Sequence, residues 1–289
     1  MKAIVLLALA AAVVGQAPAD HPSVTVNGQT YTSASILARN MGTRADQETA
    51  FPPHQIIDNI YYVGTRTLSS FLIVTPAGHV LIDTTYERNV PVIKRSVEQL
   101  GFTFADVKII LGNHAHDDHQ EGDAMAKQMT GAQVMAMAED VPALKAMMSG
   151  GKEHPIDRIL HDGDTVTLGG VTLVAHLTAG HTRGATAYAT KVQDGGRAFD
   201  VVFFSSLRAG GTISPAIAAE FDRTFPAVRR LPCDVPLGDH PAEYGMQAKY
   251  AKLGAGGPNP FVDRFNCFAE VDVQEAMYRA VLAEQRQKP

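Results

Sequence analysis

The sequence has little of what marks several classes of protein. Basic residues are too few for a nucleic-acid binder: 25 Lys and Arg stand against 30 Asp and Glu, the net charge is −5, and no basic run occurs. Gly and Pro, at 25 and 16 residues, are not enriched, and 45% of the residues are hydrophobic, which excludes a disordered or collagenous chain. The 289 residues suffice for one large or two small globular domains.

Long apolar runs are also missing, apart from one near the N-terminus. Lys2 precedes an apolar run over residues 3–15, and Ala17, Pro18 and Ala19 follow it, which is the pattern of an export signal with its cleavage site. The run is shorter than the roughly 20 residues that span a bilayer, and no later run approaches that length. We therefore predict a signal peptide over residues 1–19, a periplasmic location and no membrane span.

Cysteine is scarce, and the two cysteines are Cys233 and Cys267. They lack the Cys-X-X-Cys spacing of many zinc sites, which disfavours a role as thiolate metal ligands. An oxidising compartment favours joining two cysteines over leaving two free thiols. We predict a Cys233–Cys267 disulfide, which stabilises the fold by about 3 to 4 kcal/mol through the loop that it closes.

Short β-branched and aromatic runs alternate with helical stripes after a polar, poorly patterned stretch over residues 20–53. The pattern predicts strands over residues 60–63, 71–74, 80–82, 107–111, 133–137, 165–168, 171–177, 185–192, 198–204 and 233–237. Helices are predicted over residues 90–100, 123–129, 141–148, 216–230 and 273–287. Tight turns join the first three strands, which indicates an antiparallel meander. No long linker interrupts the chain, so residues 20–289 are expected to form one domain, with two sheets face to face and helices outside.

Three of the eleven histidines lie close together directly after the predicted strand over residues 107–111. On a helix, residues two apart point about 200° apart, so His114 and His116 can converge only in a loop. Imidazole nitrogens and the carboxylate of Asp118, with His119 beside it, are ligands that suit zinc. This spacing favours a metal site over a metal-free surface cluster of histidines.

Two further histidines follow later strands in the same way. His181 comes shortly after the strand over residues 171–177, and His240 comes shortly after the strand over residues 233–237. Side chains delivered from the same end of several strands can meet at one rim of a sheet sandwich. The first loop alone cannot supply six ligands, so we expect these two histidines to complete the site.

At this point the sequence resembles the metallo-β-lactamase superfamily, and within it subclass B3 of the class B β-lactamases. The motifs that carry the resemblance are found at residues 58–64, 81–83, 113–119, 179–182 and 231–234. The resemblance implies an αββα sandwich with two Zn²⁺. It implies a first zinc held by His114, His116 and His181, and a second zinc held by Asp118, His119 and His240. The pair of cysteines also looks like the disulfide of this subclass.

The residues after the predicted strand over 198–204 separate this subclass from its relatives. Other zinc β-lactamases place a cysteine ligand there, and glyoxalase-like, lactonase-like and nuclease-like relatives place a bridging aspartate, whereas this chain has Ser205 and Ser206. The resemblance makes Asp118 a catalytic residue that orients the attacking water, and Ser206 a catalytic or substrate-binding residue. Arg208 replaces a family serine and is either a partner for the β-lactam carboxylate or a solvated surface charge.

Other positions carry weaker expectations. Arg183 replaces a proline of the family pattern and receives no assigned role, and Asp117 is expected to face solvent. Asp83 is either an acceptor for the ring proton of a metal-binding histidine or an ordinary aspartate at a strand end. His21, His54, His79, His154, His161 and His176 are expected to be surface or structural residues.

The function implied by the resemblance is zinc-dependent hydrolysis of penicillins, cephalosporins and carbapenems, which confers antibiotic resistance. The expected partner is a small-molecule β-lactam, and the chain is expected to be a monomer. One alternative is a zinc hydrolase of the same fold that acts on lactones, thioesters or other amides, because a fold does not fix a substrate. Another alternative is an exported zinc-binding protein without turnover.

Overall fold

The computed structural model describes residues 22–287, so the predicted signal peptide lies outside the described residues. The strands are β1 Ser23–Val26, β2 Gln29–Thr32, β3 His54–Ile57, β4 Ile60–Tyr62, β5 Phe71–Thr75, β6 Gly78–Ile82, β7 Val107–Leu111, β8 Gln133–Met137, β9 Met148–Ser149, β10 Lys152–Glu153, β11 Arg158–Leu160, β12 Thr165–Leu168, β13 Val171–Leu177, β14 Thr186–Asp194, β15 Arg197–Phe204 and β16 Val235–Gly238. The α-helices are α1 Ser33–Met41, α2 Arg44–Glu48, α3 Val90–Gln99, α4 Asp117–Gln120, α5 Asp123–Thr130, α6 Val141–Ala146, α7 Pro215–Val228, α8 Met246–Tyr250 and α9 Ala269–Gln287.

Two large mixed sheets make up the centre of the fold. The first has the strand order β11-β8-β7-β6-β5-β4-β3, and the second has the order β12-β13-β14-β15-β16. Strands β4, β5 and β6 form the antiparallel meander that the tight turns predicted. Parallel pairing of β6 with β7, β7 with β8 and β15 with β16 brings several strand ends to one rim.

The core between the sheets follows from strand periodicity. Phe199, Val201 and Phe203 alternate along β15, and all three are buried in this core. They pack in the same cluster as Leu111 of β7 and Leu237 of β16. Because successive side chains on a strand point to opposite faces, one face of β15 supplies the core and the other faces outward. Each such buried side chain contributes about 1.5 to 3 kcal/mol.

Helices cover the outer face of each sheet. Ile93 of α3 packs with Leu81 of β6 in a cluster on the outer side of the first sheet. Phe221 of α7 and Tyr278 of α9 pack with Phe204 of β15 on the outer side of the second sheet. The layers are therefore helix, sheet, sheet and helix, and the predicted αββα sandwich is confirmed.

The N-terminal part of the described chain departs from the sequence-based expectation. The poorly patterned stretch over residues 20–53 contains the hairpin β1–β2 and the helices α1 and α2. These elements are short, and they are stabilised from outside: Ile36 of α1 is buried against Val273 and Met277 of α9. The secondary structure of this region therefore depends on tertiary contacts with the other end of the chain. The local sequence pattern cannot show such contacts.

Two further boundaries differ from the prediction. The helix expected over residues 141–148 ends at Ala146, because the chain turns there into the small hairpin β9–β10. Gly150 and Gly151 form its turn, with φ values of 54° and 76° that favour glycine. Helix α9 begins at Ala269, earlier than the predicted residue 273.

The predicted disulfide is confirmed, since Cys233 and Cys267 are bonded. It ties the segment before β16 to the segment before α9, across a sequence separation of 34 residues. Between residues 22 and 287, no helix is both long enough and apolar enough to cross a membrane.

Candidate metal centre

The predicted site lies where β7, β13 and β16 end at one rim of the sandwich. The turn after β7 depends on close packing: a Cβ at Gly112 would lie 2.0 Å from the Cδ of Gln120. Glycine, which has no Cβ, therefore fits where the chain passes close to Gln120 of α4 and turns into the histidine loop. Tyr188 of β14 donates a hydrogen bond to the Gly112 carbonyl at 3.0 Å and fixes this turn from the other sheet.

Three histidines form the first group of potential ligands. The ring centroids of His114, His116 and His181 are 4.7 Å apart in each of the three pairs. One nitrogen from each ring lies within 4.8 Å of the others. His114 is buried, whereas His116 and His181 are more exposed, so this group is open to solvent on one side.

Asp118, His119 and His240 form the second group. An oxygen of Asp118 lies 3.4 Å from Nε2 of His119 and 3.8 Å from Nε2 of His240. The ring centroids of His114 and His119 are 4.1 Å apart, so the two groups are adjacent. The chain thus provides two neighbouring three-ligand sites, with nitrogen and carboxylate-oxygen donors that suit zinc. Ligand atoms of His114, His119 and Asp239 also lie within 4.8 Å of one another.

Contacts behind the rings leave Nε2 of four histidines facing the centre. Nδ1 of His119 lies 3.1 Å from Asp83, and Nδ1 of His114 lies 3.2 Å from Asp239. Nδ1 of His181 and Nδ1 of His240 donate to backbone carbonyls, those of Arg208 at 2.7 Å and Thr67 at 3.0 Å. Such contacts select the ring tautomer that presents Nε2 to a metal.

The buried nitrogens that remain are a test of whether a metal fits. Among the described residues, Nε2 of His114 and Nε2 of His119 are buried and have no hydrogen-bond partner. A buried polar atom without a partner costs about 1 to 3 kcal/mol, so these atoms need a ligand. A cation at each group would satisfy them, and the residues present therefore fit metal ions.

The electrostatics of the centre suit metal binding. Burial, together with nearby His119, lowers the pKa of His114 to about 3, and burial also lowers the pKa of His116, His181 and His240. These four imidazoles are neutral, as metal ligands must be. Burial alone would lower the pKa of His119, but the Asp118 carboxylate raises it well above its ordinary value, so a metal ion must displace a proton from this ring. Burial alone would raise the pKa of Asp118, but the charge of His119 beside it holds that pKa well below its ordinary value.

Asp83 occupies a strained position behind the second group. Its φ of 61° is uncommon for a residue other than glycine, and it turns the carboxylate toward His119. Burial raises the pKa of Asp83 to about 6, although the contact with His119 opposes this shift. Asp83 also accepts a hydrogen bond from the backbone nitrogen of Asn113 at 2.8 Å, so it anchors the start of the histidine loop.

Comparison with known proteins agrees with this geometry. A family model described as the metallo-β-lactamase superfamily matches residues 63–194. The FEZ-1 metallo-β-lactamase from Legionella gormanii is 38% identical, with 83% of this chain and 98% of that chain covered and a TM-score of 0.79. The chain belongs to the metallo-β-lactamase superfamily. The superfamily resemblance predicted from the sequence is confirmed.

Two other similar structures are class B3 metallo-β-lactamases. BJP-1, a subclass B3 metallo-β-lactamase of Bradyrhizobium japonicum, is 37% identical over 83% of this chain and 97% of that one, with a TM-score of 0.77. LRA-12, a class B3 di-zinc metallo-β-lactamase from an Alaskan soil metagenome, is 28% identical over 82% and 96%, with a TM-score of 0.76. The superfamily and these neighbours indicate a hydrolase of metallo-β-lactamase type.

One relative is named for an activity other than that of a β-lactamase. A hydroxyacylglutathione hydrolase from Hyphomonas neptunium is 30% identical over 106 residues. That similarity spans 37% of this chain and 37% of the length of the relative. The superfamily membership therefore leaves the substrate to be argued from the site itself.

The structure brings all six predicted ligands together, at the positions described above, within the superfamily fold. Other predicted residues lie around them. Ser206 is buried and donates through its backbone nitrogen and its hydroxyl to Asp239, at 2.7 and 3.1 Å. Arg208 is half-buried, and its positive charge contributes to the lowered pKa of His116 and His181, which places it beside the first group.

The two remaining charged positions are exposed. Asp117 is exposed, as expected. The side chain of Arg183 is 79% exposed, and its Nε lies 4.0 Å from Glu220. Of these two arginines, Arg208 therefore lies beside the first group, whereas Arg183 lies on the surface.

Sequence reasoning missed three residues that support the centre. Asp239 contacts His114, and its position directly before His240 was a signal that could have found it. The backbone carbonyl of Thr67 holds His240, and no local pattern indicates that contact. Asp140 is buried and accepts hydrogen bonds from the backbone of Ala115 at 2.8 Å and of Gly184 at 2.7 Å, so it joins the two loops that carry the first group.

Proposed function

We propose that this protein hydrolyses the amide bond of β-lactam antibiotics with two Zn²⁺ and so confers resistance to them. The observation that carries the proposal is the pair of adjacent three-ligand groups with Ser205 and Ser206 after β15. No cysteine or aspartate ligand stands at that strand end, and His119 supplies the third ligand of the second group. The similarity to BJP-1 and to LRA-12, a class B3 di-zinc enzyme, supports the same proposal.

The proposed metal ligands are six side chains in two groups. His114, His116 and His181 would hold the first zinc, and Asp118, His119 and His240 the second. When bound, zinc supplies a water of lowered pKa as nucleophile and a Lewis acid that polarises the lactam carbonyl. The chain itself contributes the orientation of the ligands through Asp83 and the backbone carbonyls described above.

Asp118 is proposed as the catalytic carboxylate. Its side chain is 15% exposed, so it can meet a reacting group on the open side of the centre. Because the nearby histidines hold its pKa low, it is ionised at neutral pH and can accept a hydrogen bond from the attacking water. It would accept that hydrogen bond and so orient the water toward the carbonyl carbon.

Arg208 is proposed to bind the carboxylate of the substrate. Arg208 is half-buried, its backbone carbonyl accepts a hydrogen bond from His181 at 2.7 Å, and among residues 22–287 its side chain forms no ion pair with a carboxylate. An arginine can donate two parallel hydrogen bonds to a carboxylate. Ser206, for which the resemblance implied the same task, has its hydroxyl bonded to Asp239, so Arg208 carries this part of the proposal.

The cellular setting is part of the proposal. We propose that residues 1–19 direct export to the periplasm, where an oxidising environment favours the disulfide. Residues 20–289 are proposed to form one domain, because the core described above is shared by both sheets. We propose that the protein acts as a monomer on a small molecule, without a nucleic-acid partner.

Hydrolysis of a thioester is the second candidate. The partial similarity to a hydroxyacylglutathione hydrolase favours it. Ser205 and Ser206 argue against it, because the resemblance implies a bridging aspartate at that strand end in such relatives. Zinc binding without turnover needs only the six ligands and is a weaker alternative, because the superfamily and its neighbours indicate a hydrolase.

The test is a substrate panel on the mature protein with and without a chelator. We expect ring opening of nitrocefin and of a carbapenem, with loss on chelation and recovery when zinc returns. Turnover of an acylglutathione thioester or a lactone with inert β-lactams would favour the second candidate. Bound zinc with no turnover of any of these would favour a zinc-binding protein.

A further inference from the structure

A buried carboxylate lies behind the first ligand group and takes no part in the reaction described above. Asp239 is 1% exposed and follows β16 directly. Its Oδ2 lies 3.2 Å from Nδ1 of His114 and accepts a hydrogen bond from the backbone nitrogen of Ser206 at 2.7 Å. Its Oδ1 accepts a hydrogen bond from the hydroxyl of Ser206 at 3.1 Å. Three donors therefore converge on one buried side chain.

We propose that Asp239 is a positioning residue that fixes the imidazole of His114 with Nε2 toward the first metal. In this arrangement Ser206 acts through Asp239, which differs from the substrate-binding role that the resemblance implied. The inference rests on the proposed metal centre and adds to it a carboxylate that binds neither metal nor substrate.

The geometry explains why His114 needs such a partner. A neutral imidazole has two tautomers, and only the one protonated at Nδ1 offers the Nε2 lone pair to a metal. A carboxylate that accepts the Nδ1 proton selects that tautomer and strengthens the ring as a ligand. Ser205 also reaches Nδ1 of His114, at 3.2 Å, but a hydroxyl can donate as well as accept and cannot select a tautomer alone.

Asp239 is itself held in place from two directions. Its backbone carbonyl accepts a hydrogen bond from the backbone nitrogen of Ser69 at 3.0 Å, which links it to the first sheet. Ser206 follows β15 and links it to the second sheet. The contacts of Asp239 thus connect the ring of His114 to both sheets.

The test compares variants at Asp239 with a matched carboxylate on the same segment. Asp239→Ala removes all three contacts. Asp239→Asn can keep them, because the amide oxygen can face His114 and the Ser206 nitrogen while its NH₂ donates to the Ser206 hydroxyl. Asp234→Ala is the control: Asp234 is 9% exposed and accepts from the Asp200 backbone nitrogen at 2.9 Å, with no histidine in contact.

Two readouts are independent of β-lactam turnover. Zinc affinity at each site is measured by competition with a chromophoric chelator, and the ring ¹H–¹⁵N spectrum of the zinc-loaded protein reports the Nδ1 proton of His114. We expect Asp239→Ala to weaken one of the two zinc sites by about 10-fold to 100-fold and to lose that proton signal. Asp239→Asn should weaken the same site less and keep the signal, and Asp234→Ala should change neither.

Wild-type affinity at both sites in Asp239→Ala, with the His114 signal retained, would overturn the inference and leave the proposed metal centre standing. If Asp239→Ala loses its cooperative thermal unfolding, Ser206→Ala decides: weakening confined to one site supports the inference, and unchanged affinity overturns it. A wild-type protein that binds no zinc would refute the proposed metal centre, and this inference with it.

Discussion

Asp118 is the residue on which the proposed chemistry depends most. Asp118→Asn keeps the shape of the side chain and removes its charge. We expect kcat/KM for nitrocefin to fall by about 100-fold or more at saturating zinc, because the attacking water is no longer held in position. Asp117→Asn is the matched control, because Asp117 is the exposed neighbour. Equal rates for the two variants would remove the role assigned to Asp118.

Arg208 gives a second prediction, on binding rather than chemistry. Arg208→Gln removes a charge-assisted pair worth about 1.5 to 3 kcal/mol, so KM for a carboxylate-bearing β-lactam should rise about 10-fold or more with little change in kcat. A substrate with its carboxylate esterified should not distinguish wild type from variant. Arg183→Gln serves as control, since that side chain is 79% exposed. The same KM in both variants would contradict the assignment.

At the scale of single residues, the sequence predicted the metal ligands but not the residues that hold their rings in place. His114, His116 and His119 form a local motif, and a motif can be read from a single chain. The contact from the Thr67 carbonyl to His240 joins residues that are 173 positions apart, so no window along the sequence contains it. Asp239 lay within reach of sequence reasoning, beside His240, but its contact with His114 depends on the packing of the two sheets.

At the scale of elements, a buried histidine links three segments behind the centre. Nε2 of His154, which follows β10, lies 3.2 Å from a carboxylate oxygen of Asp123 at the start of α5. Asp123 also accepts a hydrogen bond from Thr84, which follows Asp83, at 2.6 Å. Burial alone would lower the pKa of His154, but the Asp123 carboxylate raises it above its ordinary value. His154 is therefore a structural residue, as expected.

This raised pKa predicts a pH-dependent term in stability. A folded-state pKa above the unfolded value of about 6.5 means that the stabilisation is fully present below that pH and is lost as pH rises through the folded pKa. In the metal-free protein, His154→Gln should therefore destabilise more at pH 6 than at pH 8.5 in urea unfolding. His161→Gln, at an exposed position, should show no such difference. A deficit for His154→Gln that is independent of pH would refute the charge interaction.

The elements that the sequence predicted are those with a strong local period. Strands such as β5, β7 and β15 are runs of β-branched and aromatic residues, and they lie near their predicted positions. The hairpin β1–β2 and helix α1 were missed because their apolar residues are few. Val24 and Tyr31 pack in the same cluster as Ile36 and Met277 of α9, so this region needs the far end of the chain to be stable.

At the scale of the whole molecule, the αββα layers followed from strands and helices alternating in both halves of the chain. The strand order did not follow, because local pattern does not indicate which strands pair. The parallel pairs β6–β7 and β15–β16 join strands distant in sequence, and β16 in particular brings His240 to the rim. The centre therefore depends on pairings that only the folded molecule reveals.

The central proposal is that six side chains from three loops hold two metal ions. The most direct measurement is the zinc content after equilibrium dialysis of the wild-type protein and of His181→Ala and His240→Ala, with His161→Ala as control. We expect two zinc ions per chain in the wild type and control, and one in each of the other variants. Two retained zinc ions in either variant, or fewer than two in the wild type, would contradict it.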